Sequence, residues 1–230
     1  MAGSHHCASA APFTDPDGRV GELLRALRRQ MNGAVSETMH ALGADYPVNY
    51  GVAVAAIRAA AAPYSPDDAL ARELYVRPER ESRISATYIS DPLHVTAADA
   101  VFWAAGIINS EMAEHAALLL GRSPVVQPIM EQWLATDSQL LRYAALLAGA
   151  RAVQMGTSLD IPRLLPLIHP GGARMTPGSA LTDRAAAAFI GRLWNARPAC
   201  RPQLEPFLKE VAATRPGLWS QLEWQLEQDL

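Results

Sequence analysis

Lysine is nearly missing from this 230-residue chain: Lys209 is the one lysine, so arginine carries almost all the positive charge. The balance is still slightly acidic, with a formal net charge of −3 and a pI near 6.1. A chain of that charge has no broad cationic field, and no nucleic-acid partner is expected. Cysteine is equally scarce. Cys7 and Cys200 are the only two, which excludes a disulfide framework, and two thiols alone cannot complete a tetrahedral zinc site. No apolar run reaches eighteen residues without interruption, and the opening MAGSHHCASAAP lacks a basic-then-apolar signal layout. A cytoplasmic protein with no membrane partner is expected. Strand-like alternation is almost absent, and no internal repeat of solenoid period stands out.

What is present is helical periodicity over most of the chain. Residues 1–16 read as a disordered tail, His5 and His6 included, and 17–230 as a single all-α domain. Helices are expected over about 17–42, 49–62, 65–75, 97–120, 128–150, 182–196, 202–214 and 216–229, which amounts to a bundle of seven or so. Ser65, Pro66, Asp67 and Asp68 form a start signal for the third of these, and Gly121 ends the fourth. RPERESR at 77–83 reads as an exposed connector, and the Pro- and Gly-rich 151–181 as a long irregular link.

Polar residues on apolar faces are the candidates for chemistry. On a continuous 97–120 helix, His115 falls in the middle of the arc made by Val101, Ala104, Ile108, Met112 and Leu119. Glu111 lies one turn earlier on the shoulder of that arc, while Glu114 falls on the polar side. On a continuous 128–150 helix, Asp137 sits in the stripe of Met130, Leu134, Leu141, Ala144 and Ala148. An isolated buried carboxylate requires a partner, a metal or a proton. The turn joining the two helices is short enough for an antiparallel hairpin, which would bring Glu111, His115 and Asp137 to similar height. In the first helix, Glu37 and His40 have the Glu-x-x-His form of carboxylate bundles. Their phase points away from the apolar stripe unless Asn32-Gly33 breaks the helix, so Glu37 is kept as a fourth candidate ligand and His40 is weaker.

Carboxylates and an imidazole on facing helices suit iron, manganese or zinc, and an open position would admit oxygen or substrate. Two other readings of the same residues stay open. His115 could be a core histidine bonded to Glu111 or Asp137 in a non-catalytic interaction or structural protein. Or it could be the base of a metal-free isomerase or hydrolase, oriented by Glu111. Arg58 on the alanine-rich helix is a weaker anion-binding candidate. His94, His169 and the Gly171-Gly172 pair read as loop residues, and Trp103, Trp133, Trp194, Trp219 and Trp224 as core or interface anchors. The alanine-rich helix and the Trp219/Leu222/Leu226 stripe offer surfaces for a homodimer.

The stretch EMAEHAALLL, preceded by Phe102-Trp103, resembles the core helix of ferritin-like domains. That resemblance implies a four-helix metalloprotein that oxidises or oxygenates a small molecule. Its iron or manganese would be held by Glu111, His115, Asp137 and Glu37, with His115 and Glu111 at the reacting centre.

Overall fold

Asparagine and serine side chains divide this chain more finely than its hydrophobic periodicity does. Asn32 Oδ1 accepts from Val35 N (3.2 Å), Asn109 Oδ1 from Met112 N (3.0 Å) and Ser138 Oγ from Leu141 N (3.3 Å). Each satisfies a backbone donor that a helix start leaves open, so each sets a new N-terminus. The first two expected long helices therefore split into α1 (Arg19–Arg28) and α2 (Gly33–Ala41), and into α6 (Asp99–Ala105) and α7 (Ser110–Leu120). The third splits into α8 (Val126–Leu134) and α9 (Gln139–Gln154). The C-terminal carbonyls at two of these breaks are also taken. Tyr75 Oη donates to Trp103 O (2.6 Å), and the buried Arg142 donates from Nη1 to Leu134 O (2.9 Å).

The computed structural model describes residues 18–168 and 179–226. The remaining helices are α3 (Val54–Ala61), α4 (Asp68–Tyr75), α5 (Arg80–Ile89), α10 (Ile161–Ile168), α11 (Ala180–Ala196), α12 (Arg201–Thr214) and α13 (Pro216–Leu226). The all-α class holds, but thirteen α-helices among the described residues replace the expected seven or so. Residues 77–83 form no exposed connector. Arg80, Glu81 and Ser82 are buried, and they open α5 because Glu81 and Arg80 have partners inside. Part of the expected irregular link is helical, as α9 continues to Gln154 and α10 follows. The 1–16 tail, His169 and Gly171-Gly172 lie outside the described residues. No described helix is long and apolar enough to cross a membrane.

The helices pack as a stack of two rows. In one row α3, α5, α7, α9, α11 and α13 each lie against the next, while α4, α8 and α12 back onto α5, α9 and α13. α1 covers α3, α4 and α5, and α10 bridges α8 to α12. A repeat is thus present in packing although none is visible in residue identity. Buried side chains from Val20 to Leu222 join one apolar cluster. Burying Leu23, Leu27, Ile57, Leu74, Met112, Leu119 and Phe189 contributes about 1.5–3 kcal/mol for each side chain. Within that row α7, α9 and α11 lie side by side, and the candidate site lies where Glu114, Leu118, Arg151 and Arg192 of these helices meet.

Candidate functional site

The four residues expected to converge do not. Glu111 is held by Arg80, whose Nε donates to Oε2 (2.8 Å) and Nη2 to Oε1 (2.6 Å), and by Tyr46 Oη donating to Oε2 (2.6 Å). Arg80 also donates to Val52 O and to Glu81, and the fully buried Glu81 accepts from Tyr50 N and Val52 N. Burial alone would raise the Glu111 pKa, but the bonds from Arg80 and Tyr46 outweigh it and hold the carboxyl below its ordinary value. This carboxylate is engaged in tying the 46–52 segment to α5 and α7.

His115 is buried, with Nδ1 3.5 Å from Tyr88 Oη and the two rings edge to face. Burial lowers its pKa, so it is neutral at pH 7. Asp137 is exposed in the turn between α8 and α9, because Ser138 caps a new helix there and breaks the phase that placed it inward. Glu37 is exposed on α2, and His40 pairs there with Asp45 (2.9 Å). Among the described residues no group of three or more His, Cys, Asp and Glu side chains is placed to hold a metal ion. His94 bonds to Asp68 (2.9 Å) in its loop.

A different set of side chains converges there. Arg122 follows the last turn of α7, and Arg151 lies in the last turn of α9. Gly121 makes their approach possible: a Cβ there would lie 2.6 Å from Arg151 Cβ and 2.7 Å from Ala148 O. With no side chain in the way, the stem of Arg151 crosses α7 and its charge comes within range of Arg122. Partial burial lowers the Arg122 pKa, and repulsion from Arg151 lowers it further. Arg122 Nε donates to Leu118 O (3.0 Å) and Arg151 Nη1 to Gln154 Oε1 (2.9 Å). Neither arginine is bonded to a carboxylate, and Arg151 Nε is buried without a hydrogen-bond partner. Tyr88 extends the set, since its hydroxyl feels the charges of both Arg58 on α3 and Arg122.

Beside the arginine pair lies a pocket of about 350 Å³ between α7, α9 and α11. Arg151, Arg192 and Glu114 supply its charged edges, and Leu118, Leu147 and Tyr143 its walls. Tyr143 Oη donates to Glu114 Oε1 (2.8 Å). Burial, with that bond, raises the Tyr143 pKa and keeps the phenol protonated as a donor. The face therefore presents guanidinium groups with no carboxylate hydrogen-bonded to them, beside a largely apolar pocket edged by Glu114. Such a surface recognises an anion of extended charge attached to a flat or apolar group. Arg58 was a candidate from sequence; Arg122, Arg151, Arg192 and Tyr143 were not. Their signal is a cation recurring near the ends of successive helices, which the macrodipole alone would also explain.

A family model described as DNA alkylation repair enzyme matches residues 23–170. A solved structure covers 84% of this chain and 83% of its own, with a TM-score of 0.65 and 19% sequence identity. That protein is described as one of a new family related to the HEAT-like repeat DNA glycosylases with affinity for branched DNA structures. No curated protein matches the chain. These findings overturn the resemblance to ferritin-like metalloproteins and the small-molecule oxidase it implied. They fit neither alternative, the structural protein nor the metal-free isomerase or hydrolase. They also overturn the absence of a nucleic-acid partner. Net charge sums over the whole surface, whereas the arginines of one face come from helices far apart in sequence.

Proposed function

Because the chain belongs to the DNA alkylation repair enzyme family, we propose that it binds DNA across the α7–α9–α11 face and tests bases in the pocket there. The observation that carries this reading is the placing of Arg151 against Gly121, next to Arg122: the two charges repel, neither is hydrogen-bonded to a carboxylate, and Arg151 Nε is buried without a partner. Like charges at close range cost free energy in the free protein, and an anion between them relieves it. DNA phosphates supply such anions at regular spacing. Arg58 acts with Arg122 on Tyr88, and Arg192 lines the pocket with Arg151, so both would add to the track. The fold neighbour's described affinity for branched DNA supports including branched structures among the ligands. The chain would do this work in the cytoplasm. Fluorescence anisotropy with a labelled duplex tests the reading: Arg122→Ala with Arg151→Ala should weaken binding about tenfold or more.

The Glu114–Tyr143 pair favours an excision step as well. An alkylated purine carries positive charge and leaves its sugar readily, and a base extruded from the duplex would enter the pocket. Glu114 would stabilise the positive charge that passes to the sugar carbon as the N-glycosidic bond breaks and the base leaves neutral; water then adds to that carbon and its proton passes to Glu114 or solvent. Release of methylated base from treated DNA, lost in Glu114→Gln with duplex affinity kept, is the expected result.

A further inference from the structure

α2 stands apart from the stack, since none of its side chains is buried. It is fastened along one side only. Asn32 N donates to Tyr50 O (2.8 Å), Ser36 Oγ donates to Asn49 O (3.0 Å), and Asn49 Nδ2 reaches Met39 Sδ at 3.6 Å. Gly51, at φ 69°, lets its backbone close on Asn32 O and Ser36 N, where any side chain would collide. The free side carries Val35, Thr38 and Leu42, spaced to share one face. Val35 is 40% exposed and Leu42 82%, and Met31 just before the helix is 62% exposed. Glu37 and His40 lie round the helix from this stripe, so it carries no charge of its own.

Cations are placed beside it. α1 runs into Arg28 and Arg29, both exposed. Arg28 is held over the Tyr50 ring at 5.4 Å and its Nε donates to Tyr50 Oη (2.9 Å). Tyr50 belongs to the same segment that fastens α2, so this arginine and the apolar stripe are fixed to one support.

We propose that the α1–α2 elbow is a wedge for DNA branch points, with Arg28 and Arg29 on phosphates and the Val35–Leu42 stripe against a base face. This rests on the DNA-binding reading above and names a second contact outside the α7–α9–α11 face. In a continuous duplex every base face is covered by its neighbour, so an apolar stripe beside the backbone meets only charge and water. At a branch the stack is interrupted and a base pair exposes an apolar surface, which side chains such as leucine, methionine and valine can cover. Charge complementarity selects the occupant: the elbow offers arginines and no acid along the stripe, which suits a polyanion with an apolar step in it.

The test uses the full chain with a four-way junction carrying 2-aminopurine at the branch, and a linear duplex of matched length. Unaltered protein should bind the junction about tenfold more tightly and raise the 2-aminopurine fluorescence as stacking is lost. The Val35→Ser/Leu42→Ser variant should lose both effects while linear-duplex affinity and thermal unfolding stay unchanged. Arg29→Ala should weaken junction binding and steepen its loss with salt less than the unaltered chain does. A variant that keeps the junction preference overturns the wedge, as does one that loses linear binding equally. Dissociation of a dimer, or loss of binding to anionic vesicles, on Val35→Ser/Leu42→Ser would assign the stripe to a second copy or to a lipid surface and also overturn it. If the chain binds the duplex through Arg122 and Arg151 without preferring the junction, the wedge alone fails. If it binds neither DNA, the broader reading fails first.

Discussion

Arg151 packs its stem where a side chain on Gly121 would stand, one residue before Arg122, and its charge acts on Arg122 from there. Adding one methyl group at Gly121 forces either the backbone of α9 or the arginine stem to move. Gly121→Ala should cost about 1–3 kcal/mol of stability, the usual range for overpacking a close contact. It should also weaken DNA binding, because the guanidinium pair separates. Urea unfolding and anisotropy on the same preparation check both. An unchanged midpoint would show that the contact is slack.

Arg80 is buried between the fully buried Glu81 and the part-exposed Glu111, so removing its charge leaves Glu81 stranded in the interior. Arg80→Met should destabilise the chain by about 3–5 kcal/mol. Chemical denaturation gives the value directly, and a loss below about 1 kcal/mol would mean that the network contributes little.

Acid should unfold this protein in two steps of titration. His115 titrates below its ordinary value in the fold, so as pH falls below about 6.5 the unfolded chain takes up the proton first and stability declines. Glu111 is likewise held below its ordinary 4.5, so its contribution is intact above that value and is lost as pH falls through the folded one. Urea midpoints measured from pH 7.5 down to pH 4 should fall throughout. His115→Gln should flatten only the upper part of the curve. A midpoint that rises on acidification would contradict both assignments.

Tyr143→Phe removes one donor from Glu114 without touching the arginines. Duplex affinity should stay within about twofold, while release of methylated base slows about tenfold, the worth of one well-placed hydrogen bond. Chromatography of the released base measures the rate. An equal loss in affinity would place Tyr143 in DNA binding rather than in positioning the carboxylate.

Helix content was legible in the sequence because periodicity and caps are local. The expected 49–62, 182–196 and 202–214 helices correspond to α3, α11 and α12. Phase was not legible across a break. Carrying one wheel through Gly106–Asn109 put Val101 inside, although it is 75% exposed, and carrying another through Asp137 buried a residue that lies in a turn. Capping by Asn109 and Ser138 competes with continued periodicity, and the hydrogen-bonded cap wins. His115 was correctly placed inside, whereas Glu111, read as a metal ligand or as the partner of His115, is bonded elsewhere. The partner is Arg80, from a stretch whose charge suggested exposure. Arg122 and Arg151 could not be joined in sequence, because what joins them is the absence of a side chain at Gly121.

The salt dependence of duplex binding tests the central claim most directly. Each phosphate neutralised contributes about 0.9 to the slope of log affinity against log salt. The Arg122→Ala/Arg151→Ala variant should lose about two from the magnitude of that slope while its thermal unfolding stays unchanged. A slope equal to that of the unaltered protein would mean that DNA does not touch this pair, and would contradict the account.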